Sequence, residues 1–197
     1  MKYQWMILAL ALTAGLITSV IVDRHSPAGQ SSEPINLLRS GKEQIDLYDL
    51  NDQRIRVIYF GYTHCPDVCP TSLAVLSAAL KQIDDQKTSK LWPIFITLDP
   101  ERDTPEKSAQ YAQYFHKKII GMTGNADQTK ALAEKYGVLY MRTELEGSAL
   151  EYAVDHSSYF YFLHADGTLV EKVQHTLNPN ILIDAINRIL AKDKVPV

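Results

Sequence analysis

Two runs of β-branched and aromatic residues, "RIRVIYFGY" ending at Tyr62 and "LWPIFITLD" from Leu91 to Asp99, flank a segment of helical period. This arrangement restricts the fold more than any other feature. Each run has the near-continuous apolar character of a strand covered on both faces. Between them, Pro70 to Ile83 places Leu73, Leu76, Leu80 and Ile83 on one helical face, and Pro70 suits a first turn. Further on, "DPERDTPEKSAQYAQYFHKKI" offers Asp103 or Thr104 as an N-cap before an early Pro105. "NADQTKALAEKYG" reads as a shorter helix stopped by Gly137. "SYFYFLHADGTLVEKVQ" gives two β-rich runs around Asp166-Gly167, a hairpin signal. The last helix, in "NPNILIDAINRILAK", carries Ile181, Leu182, Ala185, Ile186 and Leu190 along one face. The alternation predicts an α/β sandwich with a mixed central sheet flanked by helices.

The chain's 197 residues fit one such domain plus extensions. Met6 to Val22 is unbroken by charge and long enough to cross a bilayer as a helix. A cleaved signal peptide is the rival reading, but the apolar stretch exceeds a usual signal core and Ala28 lies several polar residues beyond it. The expected organisation is therefore an anchor or signal segment at 1–22, a linker at 23–40 and a folded domain at 41–197. Either reading exports the domain to a compartment where disulfides can form. A net charge of −3 provides no basic footprint, so nucleic acid is not an expected partner.

The only two cysteines, Cys65 and Cys69, stand in "YFGYTHCPDVCPTSL", each followed by a proline. Proline pushes the residue before it out of the helical region, so both cysteines are expected in a turn, with the helix beginning at Pro70. At a helix N-terminus the dipole and free amides lower a thiol's pKa. A disulfide here would close only a small loop and remove little unfolded-state entropy. A dithiol oxidoreductase more often spaces its cysteines by two residues. Two thiolates also suit Cu(I) or Zn(II), although a closed zinc site needs four protein ligands.

Of His25, His64, His116, His156, His164 and His175, each taken singly reads as a surface side chain. His64 is adjacent to Cys65, and neighbours on an extended backbone point opposite ways. His156, in "EYAVDHSSYFYFL", immediately precedes the hairpin, a junction expected to lie against the cysteine turn. Asp155 could orient its ring or be a solvated carboxylate. Asp99, Glu101 and Asp103 could form a carboxylate metal site, but a loop and helix cap with Arg102 paired to an acid is the expected reading.

"YFGYTHCPDVCPTSL", "FITLDPERDTPEKSAQY" and "VDHSSYFYFLHADGTL" resemble, in order, three signature regions of the Sco/SenC copper-chaperone family, over roughly Gly41 to Leu190. The resemblance implies a thioredoxin-like fold and a domain tethered to the inner membrane by residues 6–22, in the periplasm or the equivalent intermembrane space. It implies copper, as Cu(I) with Cu(II) as a second state, bound by Cys65, Cys69 and His156. It also implies a role in assembling the binuclear copper centre of cytochrome c oxidase subunit II, by copper delivery, by reduction of that subunit's cysteines, or both, with an unidentified copper donor. The opening "INLLRSGKEQIDL" departs from the family pattern as a shorter, less regular hairpin.

A metallochaperone is therefore expected rather than an enzyme. The enzymatic alternative is a thiol-disulfide oxidoreductase in which Cys65 attacks and Cys69 resolves. Against a general reductase, no proline lies between Pro105 and Pro179 to face the cysteines. A peroxidase would need an activating cation that the sequence does not nominate, and a redox or copper sensor would need a docking surface it does not reveal.

Overall fold

The computed structural model describes residues 36–192. The expected anchor or signal segment at 1–22 lies outside them, as does the linker up to residue 35. Among the described residues, no helix is long and apolar enough to cross a membrane. The elements are β1 (Asn36–Arg39), β2 (Glu43–Asp46), β3 (Ile55–Gly61), α1 (Val68–Gln82), α2 (Asp85–Thr88), β4 (Leu91–Thr97), α3 (Pro105–Phe115), β5 (Ile120–Met122), α4 (Ala126–Tyr136), β6 (Tyr140–Glu144), β7 (Tyr152–His156), β8 (Tyr159–Leu163), β9 (Leu169–Gln174) and α5 (Pro179–Lys192).

The central sheet has the order β5-β4-β3-β8-β9. β3, β4 and β5 run parallel, whereas β8 is antiparallel to β3 and β9 to β8. Every residue of β3 and β4 is buried, the physical reason their sequences lack alternation. Even Arg56 is sealed inside β3 and donates to the carbonyls of Leu47, Asp49, Asp52 and Arg54. Because β8 opposes β3 with Tyr59 facing Phe160, the chain enters β8 beside the end at which β3 leaves the sheet. This pairing brings the His156 junction to the cysteine turn.

The helices follow their apolar periods, with two corrections. α1 begins at Val68, so Cys69 is helical rather than in a turn before Pro70. The prolines do not prevent this, because the first-turn amides have no intrahelical acceptor to lose. In α5, Leu182, Ala185, Ile186 and Leu190 are buried as expected together with Ile189, but Ile181 is 45% exposed. Thr104 caps α3 by accepting from the Lys107 amide, with Pro105 next. Gly137 ends α4 at φ 64°, in the left-handed region that glycine enters freely.

The opening hairpin is short but regular: β1 and β2 pair from Asn36↔Asp46 to Arg39↔Glu43. Strand structure therefore starts at Asn36, ahead of Gly41, within the segment expected to be linker. Leu37 is fully buried, and Leu38 and Thr123 exchange backbone hydrogen bonds of 2.8 and 2.9 Å. A second hairpin, β6 with β7, forms a separate two-stranded sheet that the sequence reading did not anticipate.

Candidate metal centre

β3 delivers the chain into a turn at Tyr62 to Asp67, where the Cys65 amide donates to the Tyr62 carbonyl at 3.3 Å. Cys65 sits at the top of that turn and is 9% exposed; Cys69, one turn further into α1, is fully buried. The Cys69 amide points at the Cys65 sulfur, 3.4 Å away. The Cys69 sulfur lies 3.2 Å from Nε2 of His156, 87 residues later in the chain. One sulfur from each cysteine and one ring nitrogen of His156 all lie within 4.8 Å of one another. Both cysteines are free thiols.

The two thiols are held in opposite states. A hydrogen bond from Cys69 pulls the Cys65 pKa down to about 4 against the cost of burial, aided by His156 and by the amides of Asp67 and Cys69. Burial drives Cys69 far up, and its hydrogen bond to the already charged Cys65 drives it further. The expectation that the helix N-terminus lowers both is corrected: at Cys69 desolvation outweighs the dipole. The pair carries one negative charge, on the more accessible sulfur, and Cys69 keeps its proton.

His156 is oriented by its surroundings. Its Nδ1 lies 3.3 Å from the Ser157 carbonyl, which can only accept, so Nδ1 carries a proton there and Nε2 faces the sulfurs. The rings of Tyr59 and Tyr62 meet it edge-on, each with centroids 6.2 Å away. Asp155 takes no part: its carboxylate accepts from the Thr143 hydroxyl at 2.6 Å and is exposed. Of its two readings, the geometry favours the exposed carboxylate over the ring orienter, since consecutive β7 side chains point to opposite faces.

A buried carboxylate fixes the turn from below. Asp103, fully buried, accepts from the Thr63 amide (2.8 Å), the Thr63 hydroxyl (2.5 Å) and the Thr97 hydroxyl (2.6 Å). It thus ties the cysteine turn to the end of β4. Its neighbour Asp99 binds Arg102 Nε at 2.5 Å and the Tyr152 hydroxyl at 2.8 Å. His64, Asp99 and Asp103 converge closely enough to suggest a second metal cluster. Their carboxylate oxygens are already filled by protein donors, which favours the cap-and-loop reading of "DPERDTPEKS".

The remaining histidines lie elsewhere. His175 pairs with the Ser72 hydroxyl at 2.7 Å, His116 accepts from the Lys118 amide, and His164 sits in the β8–β9 turn. His25 is outside the described residues. Sequence reasoning missed Gly61, Tyr59, Tyr62, Thr63 and Asp103 as parts of the site. An isolated glycine closing an apolar strand was the available signal for a close approach.

The SCO1/SenC family model matches residues 28–191. The mitochondrial SCO1 homolog 1 of Arabidopsis thaliana is 37% identical over 155 residues, 78% of this chain and 46% of that protein, so the chain spans about half of it. An SCO2-like protein of Rickettsia typhi is 32% identical, covering 84% of this chain and 86% of its own length. Among solved structures, Arabidopsis thaliana ScoI with copper bound superposes with a TM-score of 0.73 at 34% identity, covering 81% of this chain and 97% of that one. The mixed sheet with helices on both faces is the thioredoxin-like α/β fold of these structures.

Proposed function

This chain belongs to the SCO1/SenC family, and from that premise we propose that it is a copper metallochaperone holding Cu(I) with the Cys65 and Cys69 sulfurs and Nε2 of His156. The observation that carries the reading is the convergence of these three donors, 3.2 Å between the Cys69 sulfur and His156 Nε2. Two sulfurs and an imidazole form a soft set suited to Cu(I). The thiolate on Cys65 is ready to bind, whereas Cys69 must release its proton as the ion arrives, so loading frees a proton. Cys65 is the more accessible sulfur and the point at which an incoming protein thiol can displace ligands stepwise. The proposed recipient is the binuclear copper site of cytochrome c oxidase subunit II, with an unidentified protein as donor. The proposed setting is the inner membrane, spanned once by residues 6–22, with the domain in the periplasm or the equivalent intermembrane space. The test is copper titration of the reduced full chain and its variants; tight binding that survives His156→Ala combined with Cys69→Ser refutes the ligand set.

A second reading, reduction of the recipient's disulfide, is favoured by the charge state of the pair. The Cys65 thiolate would attack one sulfur of the target and release the other as a thiolate. Cys69, deprotonated, would then attack Cys65, freeing the second target thiolate and leaving a Cys65–Cys69 disulfide. Failure of the metal-free chain to reduce such a target would remove this reading and leave the first intact.

A further inference from the structure

The hairpin carrying His156 has one covered edge and one open edge. On the β7 side, Arg102 donates to the carbonyls of Leu150 and Tyr152 at 2.8 and 3.0 Å. On the β6 side, the bonds Ser157 N–H to Leu139 C=O and Leu145 N–H to Glu151 C=O fix the alternation of the ladder. Leu139, Met141, Thr143 and Leu145 turn their backbone groups toward β7, so Tyr140, Arg142 and Glu144 turn theirs outward. Among the described residues, none bonds to those outward groups. Leu139 and Met141, two apart on one face, are 76% and 63% exposed. On the other face, Tyr140 and Arg142 wall a cavity of about 170 Å³ with Leu98, Asp99, Tyr152 and Thr129. The Thr129 hydroxyl is buried and unpartnered.

We infer that β6 is the docking edge for the copper-receiving partner, which adds an extended segment as a third strand beside β7. This rests on the copper-transfer reading above. Strand addition needs an open backbone edge for affinity and a pocket for alternate side chains for specificity, and both are present. Charge selects the occupant. From Tyr140 to His156 the hairpin carries Glu144, Glu146, Glu151 and Asp155 against Arg142 alone, and Arg142 is already paired with Glu101 and Glu144. A second copy of this chain would bring acid to acid, so the edge fits a basic segment and resists self-pairing. Position fits as well. Tyr140 lies directly opposite His156, and an added strand would run about 10 Å from β7, which brings the incoming segment alongside the hairpin that carries the proposed histidine ligand.

The test uses the full chain, copper-loaded, with the metal-free soluble domain of the proposed subunit II recipient as probe. Arg142→Pro removes an outward amide and no ladder bond, which an edge strand tolerates, whereas Arg142→Val removes the same charge and keeps the amide. Both variants are expected to bind copper as the parent does. The proline variant should transfer it about tenfold more slowly than the valine variant. Amide exchange of the parent should slow at Tyr140, Arg142 and Glu144 when the probe is added. Equal transfer by the two variants, or protection confined to other elements, overturns the docking edge while leaving copper binding untouched. Loss of copper binding by the parent itself is the separate failure of the underlying function.

Discussion

A β-carbon placed on Gly61 would lie 2.8 Å from the Cys69 sulfur, inside the distance real side-chain carbons keep. It would also meet the Tyr59 ring at 3.1 Å and the Phe95 ring at 3.2 Å. The last residue of β3 thus leaves the room that the buried sulfur fills. Cys69 is fully buried in the first turn of α1, so its sulfur can yield to that carbon only by shifting within a packed core.

Gly61→Ala is therefore expected to act on the metal centre as well as on stability. Overpacking of this kind costs about 1–3 kcal/mol, measurable by urea unfolding. Because the displaced atom is a proposed ligand, copper affinity should fall by about tenfold or more, measured by competition with a chelator. An unchanged affinity would mean that the Cys69 sulfur does not bind the ion.

The charge on Cys65 should be visible in the metal-free protein. With its pKa at about 4, alkylation by iodoacetamide should be nearly independent of pH from about 6 to 8, whereas an ordinary thiol near 8.5 accelerates steeply. Cys69, buried and protonated, should react far more slowly, and peptide mapping of the alkylated sites distinguishes the two. The sign for stability follows from a folded pKa below the unfolded one. Cys65's contribution is complete above about pH 8.5 and is lost as pH falls toward 4. The stability gap between parent and Cys65→Ser should narrow over that window.

Asp103→Asn replaces one accepting oxygen by a donor facing the donors of Thr63 and Thr97. The unpaired buried group should cost about 1–3 kcal/mol in urea unfolding. The turn bearing Cys65 loses its tie to β4, so copper affinity should also weaken. A variant as stable as the parent would contradict the role of this carboxylate.

Asp155→Ala and His156→Ala, one residue apart, should behave in opposite ways. The aspartate bonds Thr143 and leaves the imidazole alone, so copper affinity and the spectrum of the copper-loaded protein should be unchanged. The histidine variant should lose affinity and alter the spectrum. Matching spectral changes in both would restore Asp155 to the site.

What the sequence disclosed follows from which physical signals are local. β3 and β4 were legible because burial on both faces writes an unbroken apolar run, and Thr104-Pro105 because caps act over three residues. β6, "YMRTE", was not, since a strand with one open edge carries charge and lacks an apolar run. The start of α1 at Val68 was hidden because the pre-proline preference is weak against the freedom of a first turn. The location of His156 could be anticipated from chain order, but not the alignment of its ring, which depends on Ser157, Tyr59 and Tyr62. The opposite states of the two thiols depend on the depth of each sulfur, a property of the assembled core.

The antiparallel seam between β3 and β8 has a consequence for when the proposed copper site can form. His156 meets the two sulfurs only after the 87 residues that separate it from Cys69 have closed that seam. A nascent or half-assembled chain offers two sulfurs and no imidazole, so full-strength capture by the proposed site would be reserved for completed molecules. On the proposed ligand set, a bound ion would tie the turn after β3 to the strand that leads into β8 and oppose their separation by mass action. Release of the ion would then relax the protein, and the metal-free molecule should unfold more readily than a copper-loaded one.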